Sequence, residues 1–429
     1  MSNRSLPIRR RLFNATLLAG VGLLLDAGPA SRSRAQSPTP QSQAPGARAL
    51  KLGIIMTQNG PNAADGKLQL DGALLAIEEA NAKGGPAGHR ITPVVLDDYT
   101  TTAGDFDPAQ AARDAREFAE DPDVVAVIGP KTSDSAKAIE AILNRADLAT
   151  IGPSVTNPDL TDPKLANIYR PSGRTTYFRT VTTDAYQAPG MANFLAEKLN
   201  VTSAFVLDDG TSFGVGVAES FRKQAAVRGI KVLGADRVNP READYMTVLT
   251  KVKALAPQAL YFTGDVQAGI KVAKQSYDVV PKMIKAGTDA LLGGSFLTAT
   301  GFPAANGWYV TVAAPHVLED AAARDWIDRF VKRFGVQPFD YSITAFDAAA
   351  VALDAIGRVA ASGKAIDRHS VRDAIQATHL STLQGLIAFD GNGDLSTTAV
   401  STFQVQHNPA YADGDPLRQF KYIGLAPES

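Results

Sequence analysis

VIGPKTSDSA (127–136) and TIGPSVTN (150–157) end two short apolar runs in the same way. Each run stops at Ile-Gly-Pro and is followed at once by hydroxyl side chains. Short apolar runs bounded by Gly and Pro read as buried strands. Between them, Ser133 to Ala146 carries a helical period. The unit is strand, turn, helix, strand, and consecutive strands of this kind pair in parallel. The two turns then lie side by side, with Ser133 on one and Ser154 and Thr156 on the other.

The same rhythm extends in both directions. LKLGIIM (50–56), ITPVVLDD (91–98), VVAVIG (124–129) and LATIG (148–152) read as strands, separated by helical stretches at 66–83, 108–119 and 133–146. It restarts with a helix at 185–199, then strands 203–209, 231–238 and 258–264 with helices 215–228 and 245–255 between them. A strand at 307–312 and helices at 319–334, 342–361 and 367–377 follow. LIAFDG (386–391) and VSTFQVQ (400–406) read as a strand pair around the Asn392-Gly393 turn signal. Regular alternation implies parallel sheets covered on both faces. The expected fold class is α/β, with two doubly wound parallel-sheet lobes joined by a hinge. Ligands of open α/β sheets bind beyond the carboxyl ends of the strands, so two such lobes enclose a cleft.

The bulk numbers agree with two domains: 429 residues, 45% hydrophobic, 20% charged. A formal net charge of −1 gives no reason to expect nucleic acid or an anionic membrane as partner. With no cysteine, disulfides, thiolate catalysis and thiolate metal sites are excluded. Arg9, Arg10 and Arg11 precede the apolar LFNATLLAGVGLLL (12–25), and Ser33-Arg34-Ala35 offers small residues for cleavage. Residues 1–35 therefore read as a signal peptide, of the Sec or twin-arginine type. SPTPQSQAPGAR (37–48) lies in a leader, 36–49, too polar and Pro-rich to pack. No later stretch has the length of a membrane span, and the expected location is a periplasm.

The polar residues collect at strand ends: TQNGPNAADG (57–66), GPKTSDS (129–135), GPSVTN (152–157), DDGTSFG (208–214), TGDVQAG (263–269) and AGTDALL (286–292). A helix beginning near Asp134 makes Ser133 its N-cap, either merely closing the helix or holding an anion at its positive end. Thr156 and Asn157 either close a turn on their own backbone or join Ser133 at a ligand. The five histidines are scattered, and neither a nucleophile elbow nor a phosphate loop is present. The expectation is a binding protein without cofactor or metal, not an enzyme.

Taken together, LKLGIIMTQNGPNAADGKLQLDGALLAIEEANAKGG (50–85), DPDVVAVIGPKTSDS (121–135), TIGPSVTNPDLTD (150–162), YFRTVTTDAYQAPGMANFLAEKL (177–199) and DDGTSFGVGVAESFRKQAAVRGIKV (208–232) resemble a known family. It is the periplasmic amino-acid-binding proteins of branched-chain amino acid ABC transporters, with the type I periplasmic-binding fold. The resemblance implies a Venus-flytrap molecule with chain crossings near 179–183, 310–315 and 382–388. Lobe 1 is then 50–180 plus 313–384, and lobe 2 is 181–312 plus 385–429. It implies a small-molecule ligand and an inner-membrane permease as partners. Ser133 would hold the ligand carboxylate, Ser154 and Thr156 would supply a carbonyl and a hydroxyl, Asp289 would pair with the ammonium, and Phe213 would cover it. Positions often aromatic in the family read Asp65 and Asp265 here. Either they favour a polar or cationic ligand over bare leucine or valine, or they face solvent at the rim. Two other functions stand beside it: the same fold binding an amide, urea or aromatic acid, as carrier or sensor, and an enzyme on the doubly wound scaffold, against which the lack of a nucleophile–base constellation counts.

Overall fold

The computed structural model describes residues 50–428, so the expected signal peptide and leader lie outside the described residues. The chain opens with β1 (Leu50–Ile55), α1 (Ala63–Ala82), β2 (Ile91–Leu96) and a small antiparallel pair, β3 (Tyr99–Thr100) with β4 (Asp105–Phe106). It continues with α2 (Pro108–Glu120), β5 (Val124–Ile128), α3 (Ser133–Arg145), β6 (Ala149–Gly152), α4 (Ala166–Tyr169) and β7 (Tyr177–Arg179). The five-stranded sheet runs β2-β1-β5-β6-β7, parallel throughout. Every residue of β5 is buried, as both faces of a helix-covered strand demand.

The chain then passes to a second sheet. Its elements are α5 (Asp184–Glu197), β8 (Ser203–Asp208), α6 (Ser212–Val227), β9 (Lys231–Arg237), α7 (Met246–Leu255), β10 (Ala259–Thr263), α8 (Val266–Val279), β11 (Ile284–Gly287), α9 (Gly294–Thr300) and β12 (Tyr309–Val312). The sequence pattern gives no helix or strand range between 265 and 306, although it marks AGTDALL (286–292) as a strand end. Lys285, buried in the middle of β11, interrupts the apolar run that would have marked a strand. α10 (Arg324–Phe334), α11 (Asp340–Ala361), α12 (Arg368–Gln376), β13 (His379–Thr382) and β14 (Gly385–Ala388) follow. β15 (Ser401–Val405), α13 (Pro416–Gln419) and β16 (Phe420–Leu425) end the chain. The seven-stranded sheet runs β16-β15-β12-β11-β10-β8-β9, with β15 and β16 antiparallel at one edge.

α11 belongs to the first lobe, packed along α1. The approach is close: a Cβ on Gly72 would come 2.1 Å from the Ser342 carbonyl oxygen. β14 pairs with β13, and Ile387 and Leu395 pack into the core of the first sheet. The expected pairing of 386–391 with 400–406 is therefore wrong. The Asn392-Gly393 turn exists, but after Leu395 the chain leaves for the second sheet, where β15 pairs with β12. The third passage lies at 396–400, later than the expected 382–388, and the first lobe extends to about Leu395. The passages are tied to one another. Thr182 N–H donates to Ala313 O at 2.8 Å, and Ser401 Oγ donates to Ala314 O at 2.8 Å.

Candidate functional site

The two Ile-Gly-Pro turns stop their strands for different reasons. Gly129 has φ +103°, and a Cβ there would meet the Ile55 carbonyl at 2.1 Å. At Gly152 the obstacle is the Tyr177 hydroxyl, 2.2 Å from where a Cβ would sit. Both turns deliver polar residues to one cavity between the lobes, where the centres of water molecules have ≈ 40 Å³. Ser133, Ser154, Thr156, Phe213, Asp289, Asp265 and Asp65 all line it.

Thr132, not Ser133, is the N-cap of α3: its Oγ1 accepts from Ser135 N–H at 3.4 Å. The cap lies one residue earlier than the expected one, and this frees Ser133. It is the first helical residue, and among the described residues its hydroxyl has no hydrogen-bond partner. The opening N–H groups of a helix lack intrahelical acceptors and carry positive potential, so this corner suits a carboxylate. The second turn is more committed. Ser154 Oγ lies 2.8 Å from Gln69 Oε1 and 2.9 Å from Lys131 O. Thr156 Oγ1 donates to Asp184 Oδ2 at 2.9 Å, and Thr156 O accepts from Asp184 N–H.

Asp289 begins a short 3-10 turn after β11. Its Oδ1 accepts from Gln187 Nε2 at 2.8 Å, and its Oδ2 from Tyr341 of the first lobe. Burial pushes its carboxyl up to about 6, while the Tyr341 hydrogen bond and the Lys131 charge pull it down. Asp184 sits at the start of α5, and burial and the nearby Asp289 hold it well above the ordinary carboxylate range. Phe213, in the first turn of α6, covers the cavity.

Asp65 and Asp265 do not face solvent at the rim; both are buried and both reach across the cleft. Asp65 on α1 accepts from Ser295 N–H at 3.4 Å, at the N-terminus of α9 in the second lobe. Burial raises its pKa, opposed by Lys131 and the N–H groups of α9. Asp265 is the N-cap of α8; its Oδ1 accepts from Val266 N–H at 2.8 Å and from Asn62 Nδ2 of the first lobe at 3.0 Å.

A family model described as periplasmic binding protein matches residues 49–414. The chain belongs to the periplasmic binding protein family. It is 28% identical over 365 residues to the leucine-, isoleucine-, valine-, threonine- and alanine-binding protein of Pseudomonas aeruginosa, covering 83% of this chain and 89% of that one. It is 27% identical to Leu/Ile/Val-binding protein homolog 3 of Brucella melitensis, covering 83% and 91%. Among solved structures it resembles LivJ of Streptococcus pneumoniae in complex with isoleucine. There the TM-score is 0.73 at 22% identity, covering 88% of this chain and 98% of that one. A leucine-binding protein of Thermotoga maritima gives a TM-score of 0.74 at 21% identity, with 88% and 99% covered. The two α/β lobes are those of the type I periplasmic-binding fold.

Further residues of this periplasmic binding protein line the cavity without having been singled out in the sequence, among them Gln69, Lys131, Asp134 and Tyr341. Lys131 Nζ donates to Asn62 Oδ1 at 2.5 Å. Lys131 and Asp134 stand inside the GPKTSDS edge, so their position was available from the sequence. Gln69 sits within α1 and Tyr341 opens α11, and nothing local marks either.

Proposed function

We propose that this chain is the extracytoplasmic receptor of an ABC importer, that it holds an α-amino acid between its lobes, and that it presents the closed form to a membrane permease. The observation that carries this reading is the pairing of opposite ends in one cavity. The free Ser133 hydroxyl and the N-terminus of α3 offer donors to a carboxylate, and Asp289 offers an acceptor to an ammonium. Charge-assisted hydrogen bonds of this kind contribute roughly 1.5–3 kcal/mol each. The names of the Pseudomonas and Brucella relatives point the same way. No nucleophile paired with a base lines the cavity, which supports carriage rather than catalysis. The apolar segment at 12–25 behind its arginines supports export to a periplasm.

Ligand binding drives closure only through contacts made better in the closed state. The hydrogen bonds that Asn62 and Tyr341 donate to the second lobe, and that Asp65 and Asp134 accept from it, are contacts of that sort. A thermal-shift screen against the α-amino acids tests the reading. A ligand at 100 times its Kd adds about 2.7 kcal/mol. Stabilisation by at least one α-amino acid is expected. A response confined to solutes that are not zwitterions overturns it.

A further inference from the structure

The far end of the cavity is more polar than a branched aliphatic side chain requires, and its carboxylates already have partners. Asp65 is held by the N-terminus of α9, and Asp265 by Asn62 and its own helix. Lys131 adds a positive charge that acts on both Asp65 and Asp289. What lacks partners is different. Gln69 is 1% exposed, its Oε1 is engaged by Ser154, and its Nε2 has no hydrogen-bond partner. Lys131 spends one hydrogen bond on Asn62, and an ammonium has three donors.

We infer that the ligand is an amino acid whose side chain is a neutral carboxamide, with its carbonyl taken by Gln69 Nε2 and Lys131. This rests on the amino-acid receptor reading above and refines it. Three alternatives fail on charge and hydrogen-bond accounting. An aliphatic side chain offers no acceptor to Gln69 Nε2, which is already buried without a partner, or to the Lys131 ammonium, and unpaired buried donors are the expensive case. A carboxylate side chain joins Asp65, Asp134, Asp265 and Asp289 around one lysine. A cationic side chain suits the carboxylates but brings donors, not an acceptor, to Gln69 Nε2 and the Lys131 ammonium. The carboxamide satisfies the donors without adding charge, and its own N–H groups find carboxylate acceptors nearby.

Calorimetry of the purified chain with L-glutamine, L-asparagine, L-leucine, L-glutamate and L-arginine tests this. One of the two amides is expected to bind about tenfold more tightly than any of the other three. Leucine, glutamate or arginine matching the better amide overturns the inference while leaving the receptor reading intact. Failure of every α-amino acid to bind overturns both. The double variant Gln69→Leu, Lys131→Met is expected to shift the amide-to-leucine affinity ratio about tenfold toward leucine. An unchanged ratio in a folded variant overturns the assignment of these two residues.

Discussion

Asp134, in the first turn of α3, accepts a hydrogen bond from the backbone N–H of Ser212, the first residue of α6, at 3.1 Å. The two helices belong to different lobes and present their N-termini to one carboxylate. A helix N-terminus favours a nearby anion by about 0.3–1 kcal/mol, more where the site is partly buried. This bond exists only with the lobes together, so it weights the equilibrium toward the closed form. Asp134→Ala is expected to weaken ligand binding about 3- to 10-fold, mainly through faster release. Stopped-flow release kinetics and calorimetry measure it. An unchanged Kd means that the bond does not discriminate closed from open.

Ser133 and Asp289 carry the two ends of the ligand. Ser133→Ala removes a donor to a charged group, worth roughly 1.5–3 kcal/mol, and is expected to raise Kd about 10- to 100-fold. Asp289→Asn keeps an oxygen to accept from Gln187 and turns an N–H donor to the Tyr341 hydroxyl, which can accept, but removes the charge. Its loss of affinity should equal or exceed that of Ser133→Ala, with little change in the unliganded melting temperature. Calorimetric titration of the two variants checks both, and normal binding by either removes that residue from the site.

The residues that converge on the cleft were legible because a local rule places them. Ser133, Ser154, Thr156, Phe213, Asp265 and Asp289 all follow the carboxyl end of a strand within a few positions. Such ends of a doubly wound sheet face the ligand side. Asp65 was legible as a position but not as a bond, because its partner is the N-terminus of α9, 230 residues away in sequence. Tyr341 and Gln187 reach Asp289 from two other helices and carry no local mark. The misplaced strand pair at 386–406 has the same origin. Asn392-Gly393 is a real turn, but what pairs with β15 is decided by β12, far away in the chain.

Arg179 is fully buried at the end of β7, where its guanidinium donates to the carbonyls of Val155 and Asn157 at 2.9 and 3.1 Å and to Thr161 Oγ1 at 2.9 Å. Its Nε lies 2.8 Å from Asp394 Oδ1, a charge pairing. It joins the chain just before the first passage to the chain just before the third. Breaking such a pair strands the other charge at a cost of about 3–5 kcal/mol. Asp394 is the more exposed partner, so Asp394→Ala should fall at the lower end, about 3 kcal/mol by denaturant unfolding. A loss within experimental error means water or the carbonyls alone satisfy the guanidinium.

Asn62 Nδ2 sits 3.1 Å from both oxygens of Asp105 and 3.0 Å from Asp265 Oδ1, so a carboxylate from each lobe meets at one amide. Burial, then the Asp265 charge, pushes Asp105 up to about 7, against hydrogen bonds from Asn62 and Phe106 N–H and the Lys131 charge. Asp209 also lies close, its Oδ2 accepting from Asp265 N–H at 2.7 Å. Opening the cleft removes the Asp265 charge, the second cause after burial, and so lowers the Asp105 pKa. The closed form therefore holds the proton more tightly. Its advantage is present at low pH and is lost as pH rises through about 7. Asp289 works in the opposite direction. With the lobes together its carboxyl stands at about 6, and an ammonium beside it lowers that value. Binding then expels a proton below about pH 6, and affinity falls as pH falls through that point. From about pH 6 to 7 affinity is therefore expected to fall as the Asp105 advantage is lost, while below about pH 6 the two effects oppose each other. Calorimetry across pH in buffers of different ionisation enthalpy measures both the Kd and the protons exchanged. Asp105→Asn should flatten the alkaline limb and leave the acid limb in place. An alkaline limb that survives this substitution assigns it to a group other than the Asp105–Asp265 pair.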